Sequence, residues 1–188
     1  MGVILIRHTA VAVEAGVCYG ASDVPLASDF AQAANKPYSQ LPPGPWRVIS
    51  SPALRCRQLA ELFSPNVVTD HRLLELNFGD WELRRWDEIP RTEIDLWSDD
   101  FVNRAPPGGE TFAALARRAE ACIHEFKRLY SGEKIICVTH AGVIRALLAS
   151  RQGISLRDAF SLHVDFGGIY PLPPAIAPSP LPKQACTP

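Results

Sequence analysis

Two histidines in this sequence stand directly behind apolar runs. Val3-Ile4-Leu5-Ile6 leads into Arg7-His8, and Ile135-Ile136-Cys137-Val138-Thr139 leads into His140. An imidazole can act as nucleophile or proton carrier near neutral pH. A guanidinium can grip an oxyanion through two parallel hydrogen bonds. Arg7 beside His8 therefore describes an anion site with a nucleophile inside it. Arg55 supplies a second cation, from the start of a segment with helical character. Two guanidiniums and two imidazoles suit a phosphate monoester, which carries about −1.5 to −2 charges at neutral pH. His8 must be neutral to attack, and the neighbouring Arg7 charge pushes its pKa down. Two carboxylates, Glu75 and Glu82, sit among the large apolar residues Leu74, Leu76, Phe78 and Trp81.

These groups can act together only if the chain brings them to one place. Short β-branched runs at 3–6, 46–50, 66–70 and 133–139 read as buried strands. Helical patterns are interleaved with them. One is expected from Ser28, broken before Pro37. A second is expected over 52–63, with Ser51 as N-cap and Pro52 at the first helical position. Weak periodicity through Trp86, Ile89, Ile94 and Trp97 suggests a short helix. The clearest helix follows the turn Pro106-Pro107-Gly108-Gly109-Glu110: Phe112, Leu115, Ala116, Ala119, Ile123, Phe126 and Tyr130 keep the i, i+3, i+4, i+7 spacing, and Gly132 ends it. Another helix runs from Val143 to Gly153, and residues 160–170 read as a last strand. Strands alternating with helices predict an α/β fold, a three-layer sandwich with a mainly parallel sheet. In such sheets ligands bind at the carboxyl ends of the strands. Arg7, His8 and His140 would meet there, with Arg55 joining them from a helix start. The loop after His8, with Gly16 to Leu26 at its core, is expected to form the rim of the site and to offer Tyr19 and Gly20 to a substrate.

The bulk numbers fit one domain. The chain has 188 residues and a formal net charge of −1, with 47% hydrophobic and 21% charged residues. One domain is expected over 1–170 and a Pro-rich tail over 171–188, disordered or draped over the surface. The near-zero charge argues against bulk nucleic-acid binding. No apolar run approaches the roughly 20 residues of a membrane span, and the opening run is too short for a secretory signal. Five scattered cysteines with no C-x-x-C spacing suggest neither a disulfide framework nor a zinc site. Reduced thiols and a cytoplasmic location are the expectation. His71, His124 and His163 receive no chemical role.

Leu5-Ile6-Arg7-His8, Ser50-Ser51-Pro52-Ala53-Leu54-Arg55 and Val138-Thr139-His140-Ala141-Gly142 resemble the signature segments of the histidine phosphatase (phosphoglycerate mutase-like) superfamily, and Leu74-Glu75 through Trp81-Glu82 lies between them as in that family. The resemblance covers residues 3–170. It implies the phosphoglycerate mutase-like fold and a metal-independent, cofactor-free phosphatase acting on a small phosphate ester. His8 would be the nucleophile that becomes phosphohistidine, and Arg7, Arg55 and His140 would hold the phosphoryl oxygens. Glu75 would be the acid and base, with Glu82 its competitor for that role. The apolar neighbours of Glu75 favour the protonated form a donor needs. The short chain favours a phosphatase over a mutase. Gly16 to Leu26, Arg55-Cys56-Arg57-Gln58, Leu74 to Glu82 and Pro106 to Glu110 are similar to α-ribazole phosphatases of cobalamin synthesis. A broad-specificity or sugar-phosphate phosphatase, and a weakly catalytic phosphate-binding protein, are the other expectations. Two residues depart from the family pattern: Thr9 and Leu83 stand where glycines are usual. A β-branched Thr9 would be strained if that position requires positive φ.

Overall fold

The structure is a computed structural model that describes residues 2–42 and 44–175. Its strands are β1 (Val3–Arg7), β2 (Trp46–Ser50), β3 (Val67–Thr69), β4 (Lys134–Thr139) and β5 (Ile169–Leu172). They form one sheet in the order β3-β2-β4-β1-β5. β1 to β4 are parallel, and β5 joins the edge antiparallel to β1. The helices are α1 (Phe30–Gln40), α2 (Leu54–Glu61), α3 (Arg91–Asp99), α4 (Phe112–Leu129) and α5 (Ala141–Gln152).

Successive side chains of a strand leave on opposite faces, and here both faces are apolar. Val3, Leu5, Ile49, Ile135 and Cys137 pack with Leu115, Ala119 and Ile123 of α4 and Val143, Ile144 and Leu147 of α5. Ile6, Val48, Ile136 and Val138 pack with Ala34 of α1 and Cys56, Leu59 and Ala60 of α2. Two helical layers around one sheet make the expected α/β/α sandwich, and they explain why these strands are uninterrupted apolar runs. A separate cluster of Cys18, Trp81 and Ile89, packed against Phe78, Trp86, Ile94 and Trp97, supports the loops above the sheet.

Several elements differ from the sequence expectation. α1 runs through Pro37 instead of stopping before it. Pro37 is buried, so packing outweighs the lost backbone hydrogen bond. α2 starts at Leu54 with Ala53 as N-cap, so the cap comes from outside the local sequence: the Asp23 carboxylate accepts from the Leu54 N–H. The Ser51 hydroxyl is engaged elsewhere. The weak pattern after Trp86 resolves into a 3-10 turn (Trp86–Glu88) and α3, separated at Pro90. The last strand covers only Ile169–Leu172; residues 162–168 are a loop. Pro171 and Leu172, counted with the tail from sequence, pair with Ile4 and Val3. The tail beyond Ala175 lies outside the described residues.

Candidate active site

β1 and β4 are parallel neighbours, yet α1, which follows β1, and α5, which follows β4, pack on opposite faces of the sheet. Such a topological switch point opens a crevice beyond the strand ends. The register pairs Arg7 with Thr139, so His8 and His140 emerge side by side. The His8 N–H donates to the Thr139 carbonyl at 3.1 Å. The two imidazoles meet edge to face, with centroids 5.2 Å apart.

His8 is 2% exposed. Its Nδ1 lies 2.7 Å from the Thr9 carbonyl. A carbonyl can only accept, so Nδ1 carries the proton and Nε2 keeps its lone pair. Burial pushes the His8 pKa down to about 3, with Arg55 next and Arg7 a smaller contributor, against the opposing Thr9 hydrogen bond. The imidazole is therefore neutral at physiological pH, although burial, not Arg7, is the main reason. Thr9 carries no positive φ. The strain sits at the other departure from the family pattern: Leu83, at φ 63°, is the positive-φ non-glycine residue among those described.

Arg7 donates from Nη1 to the Val164 carbonyl at 2.7 Å, and its guanidinium lies 3.7 Å from the centroid of the Phe166 ring. Arg55 is fully buried and donates to the carbonyls of Ser22 and Gly20, each at 2.7 Å. Both arginines retain a buried Nε with no partner among the described residues. An unpartnered buried donor costs about 1–3 kcal/mol, a cost that an oxyanion within reach of these donors would remove. At the α2 N-terminus, Asp23 takes the Leu54 N–H at 2.9 Å. His140 is fully buried and is the N-cap of α5. Its Nε2 lies 2.8 Å from the Ser51 hydroxyl, and burial followed by the His8 ring holds its pKa well below the usual range.

Glu75 faces the same cavity. Its oxygens accept from the N–H groups of Leu76 and Gly142, each at 2.9 Å. Gly142 lies in the first turn of α5, so a main-chain N–H at the start of that helix holds the carboxyl group in place. This polar setting differs from the apolar one expected from the flanking leucines. A Cβ on Gly142 would stand 2.3 Å from Glu75 Oε1; the glycine is what lets the carboxylate approach.

A cavity of about 140 Å³ is lined by Arg7, His8, Tyr19, Gly20, Arg55, Glu75 and His140. Glu82 is absent from that lining. Its carboxylate accepts from the N–H groups of Ala21, Phe78 and Ser22 at 2.9–3.0 Å. It pins the rim loop whose Gly20 and Ser22 carbonyls hold Arg55, and so serves the site from behind. Gly20 has its own reason: a Cβ there would meet the Leu76 carbonyl at 2.2 Å. The sequence reading missed Ser51 and the far wall of the cavity, made by Leu76, Phe78, Phe112, Arg145 and Phe160. Arg145 could have been found, since it lies one helical turn beyond Ala141-Gly142. His71, His124 and His163 are exposed on the surface, away from the cavity.

A crevice beyond the strand ends, holding paired arginines and histidines around a small cavity, defines a phosphoryl-handling site. The family model of the histidine phosphatase superfamily (branch 1) matches residues 3–173, and the chain belongs to that family of phosphatases. An adenosylcobalamin/α-ribazole phosphatase of Salmonella typhimurium is 31% identical over 172 residues, covering 87% of this chain and 85% of the relative. A metal-independent phosphoserine phosphatase of Arabidopsis thaliana is 31% identical over 112 residues, 55% of this chain and 47% of the relative. The fold matches the crystal structure of the α-ribazole phosphatase from Shigella flexneri with a TM-score of 0.81 at 24% identity, covering 94% of this chain and 96% of the other.

Proposed function

We propose that the protein hydrolyses a small-molecule phosphate monoester through a phosphohistidine on His8, without a metal, and that α-ribazole 5′-phosphate is its leading substrate. The observation that carries the first part is the neutral, tautomer-fixed His8 among arginines whose buried Nε groups lack partners. In the first step His8 Nε2 attacks phosphorus. An N–P bond forms as the ester P–O bond breaks, and Glu75 gives its proton to the leaving oxygen. Arg7 and Arg55 balance charge on the equatorial oxygens, and the neutral His140 ring offers them a hydrogen bond. In the second step Glu75 takes a proton from water, the hydroxide oxygen bonds to phosphorus, the N–P bond breaks and inorganic phosphate leaves.

Support for the leaving group comes from the cavity wall. Leu76, Phe78, Phe112 and Phe160 are apolar and mostly aromatic, a surface suited to a flat heteroaromatic group such as a benzimidazole. The similarity to an adenosylcobalamin/α-ribazole phosphatase points the same way.

The experiment is p-nitrophenyl phosphate hydrolysis in excess chelator, wild type against His8→Ala. Activity is expected in the wild type and loss of at least about 10³-fold in the variant. No activity in the wild type, or an active variant, sinks the reading. A panel of α-ribazole 5′-phosphate, phosphoserine and sugar phosphates then decides the substrate: the first is expected to show the highest kcat/KM.

A further inference from the structure

Arg118, on α4, reaches across to the loop that carries Glu75. Its guanidinium has five N–H donors, and all five are engaged. Nη1 donates to the Arg72 and Leu74 carbonyls at 2.8 and 2.6 Å, and Nη2 donates to the Glu75 carbonyl at 3.0 Å. Nε donates to Glu110 Oε2 at 3.1 Å, and Nη2 also pairs with Glu110 Oε1. Glu110 in turn accepts from the Asn77 N–H at 3.1 Å. The one intervening carbonyl, that of Leu73, accepts from the Thr139 hydroxyl at 2.8 Å. Every carbonyl from 72 to 75 is thus held by α4 or β4, in a stretch whose own regular structure is a single 3-10 turn, His71–Leu73.

We infer that Arg118 is a positioning residue for Glu75: with Glu110 it fixes the main chain of 72–75 so that the Glu75 carboxyl reaches the leaving oxygen. This rests on the reading of Glu75 as the proton donor. The side chain of Glu75 is anchored at one end by the Gly142 N–H, and Arg118 anchors its backbone at the other. A lysine in place of Arg118 cannot reproduce the arrangement, because an ammonium has three donors and no planar fork. Loss of the clamp lets the carboxyl drift, and a displacement of about 1 Å can cost about 10²-fold in rate.

The test separates positioning from general stability by the leaving group. Phenyl phosphate needs protonation of its leaving oxygen far more than p-nitrophenyl phosphate does, while the two fill the site alike. For both, kcat/KM reports only the steps up to release of the phenol, so the later attack by water does not enter. Arg118→Lys is expected to lose about 10- to 100-fold on phenyl phosphate and less than about 3-fold on p-nitrophenyl phosphate. Glu110→Gln, which keeps Arg118 and its carbonyl partners, is expected to shift the ratio in the same direction by a smaller factor, and it decides the matter if Arg118→Lys does not fold. Equal losses on both substrates, or an unchanged ratio in a folded variant, overturn the inference. Glu75→Gln is the control. If it leaves the ratio unchanged, the proton-donor reading itself fails; if it shifts the ratio while the Arg118 and Glu110 variants do not, only the clamp fails.

Discussion

At His8 one backbone carbonyl sets up the proposed nucleophile. The Thr9 carbonyl takes the Nδ1 proton, and burial keeps the ring from gaining a second one. Free-enzyme activity should therefore not fall as pH drops through 6.5 on account of this residue. Glu75 depends on a missing atom instead. Because a Cβ on Gly142 would stand 2.3 Å from its Oε1 and 3.1 Å from its Cδ, Gly142→Ala must displace the carboxylate. Alanine is the better helix former, so the fold should survive. The expected result is a loss of about 10²-fold in kcat/KM with an unchanged far-ultraviolet circular dichroism spectrum. Wild-type activity in that variant would mean that the Glu75 position does not matter to turnover.

At the scale of elements, the site depends on loops held by carboxylates. Glu82 gathers three N–H groups from two loop segments, and Asp23 of the rim loop takes the first N–H of α2. The same region stores strain. Leu83 is left-handed at φ 63° and 60% exposed, so it returns little packing for its conformation. The left-handed penalty is about 1–2 kcal/mol for a residue with a Cβ, and glycine's extra chain entropy offsets about 0.5–1 kcal/mol of the gain. Leu83→Gly is expected to raise stability by up to about 1 kcal/mol, read as a higher urea midpoint at constant m-value. A lower midpoint would show that Leu83 makes contacts worth more than its strain.

For the whole molecule, two buried neutral histidines tie stability to pH. The folded His8 pKa is about 3, against 6.5 for the free side chain, and His140 is also held well below its usual value. Below pH 6.5 the unfolded chain binds protons that the folded chain refuses. Their contribution therefore makes stability fall as pH drops through the window from 6.5 towards 3. Each histidine adds a slope of up to about 1.4 kcal/mol per pH unit. Urea titrations at pH 7.5, 6 and 5 should show His8→Gln losing less stability on acidification than the wild type. Equal slopes in the two proteins would refute the burial argument. Among the described residues no helix is long and apolar enough to cross a membrane.

The sequence by itself determined the four parallel strands, the α/β order and the residues at the strand ends, because apolar period and Arg-His placement are local properties. Arg7, His8, Arg55 and His140 were legible for that reason, and the family pattern added Glu75. Tertiary structure decided what depends on approach in space. It turned Glu82 from a cavity residue into a loop clamp and diverted Ser51 from helix cap to His140 partner. It carried α1 through Pro37, where burial outweighs the lost N–H. It also brought Arg118 onto the carbonyls of Arg72, Leu74 and Glu75, more than 40 positions away. Hydrogen bonds between such distant residues leave no period in the chain, since only the packing of α4 and β4 brings their partners within reach.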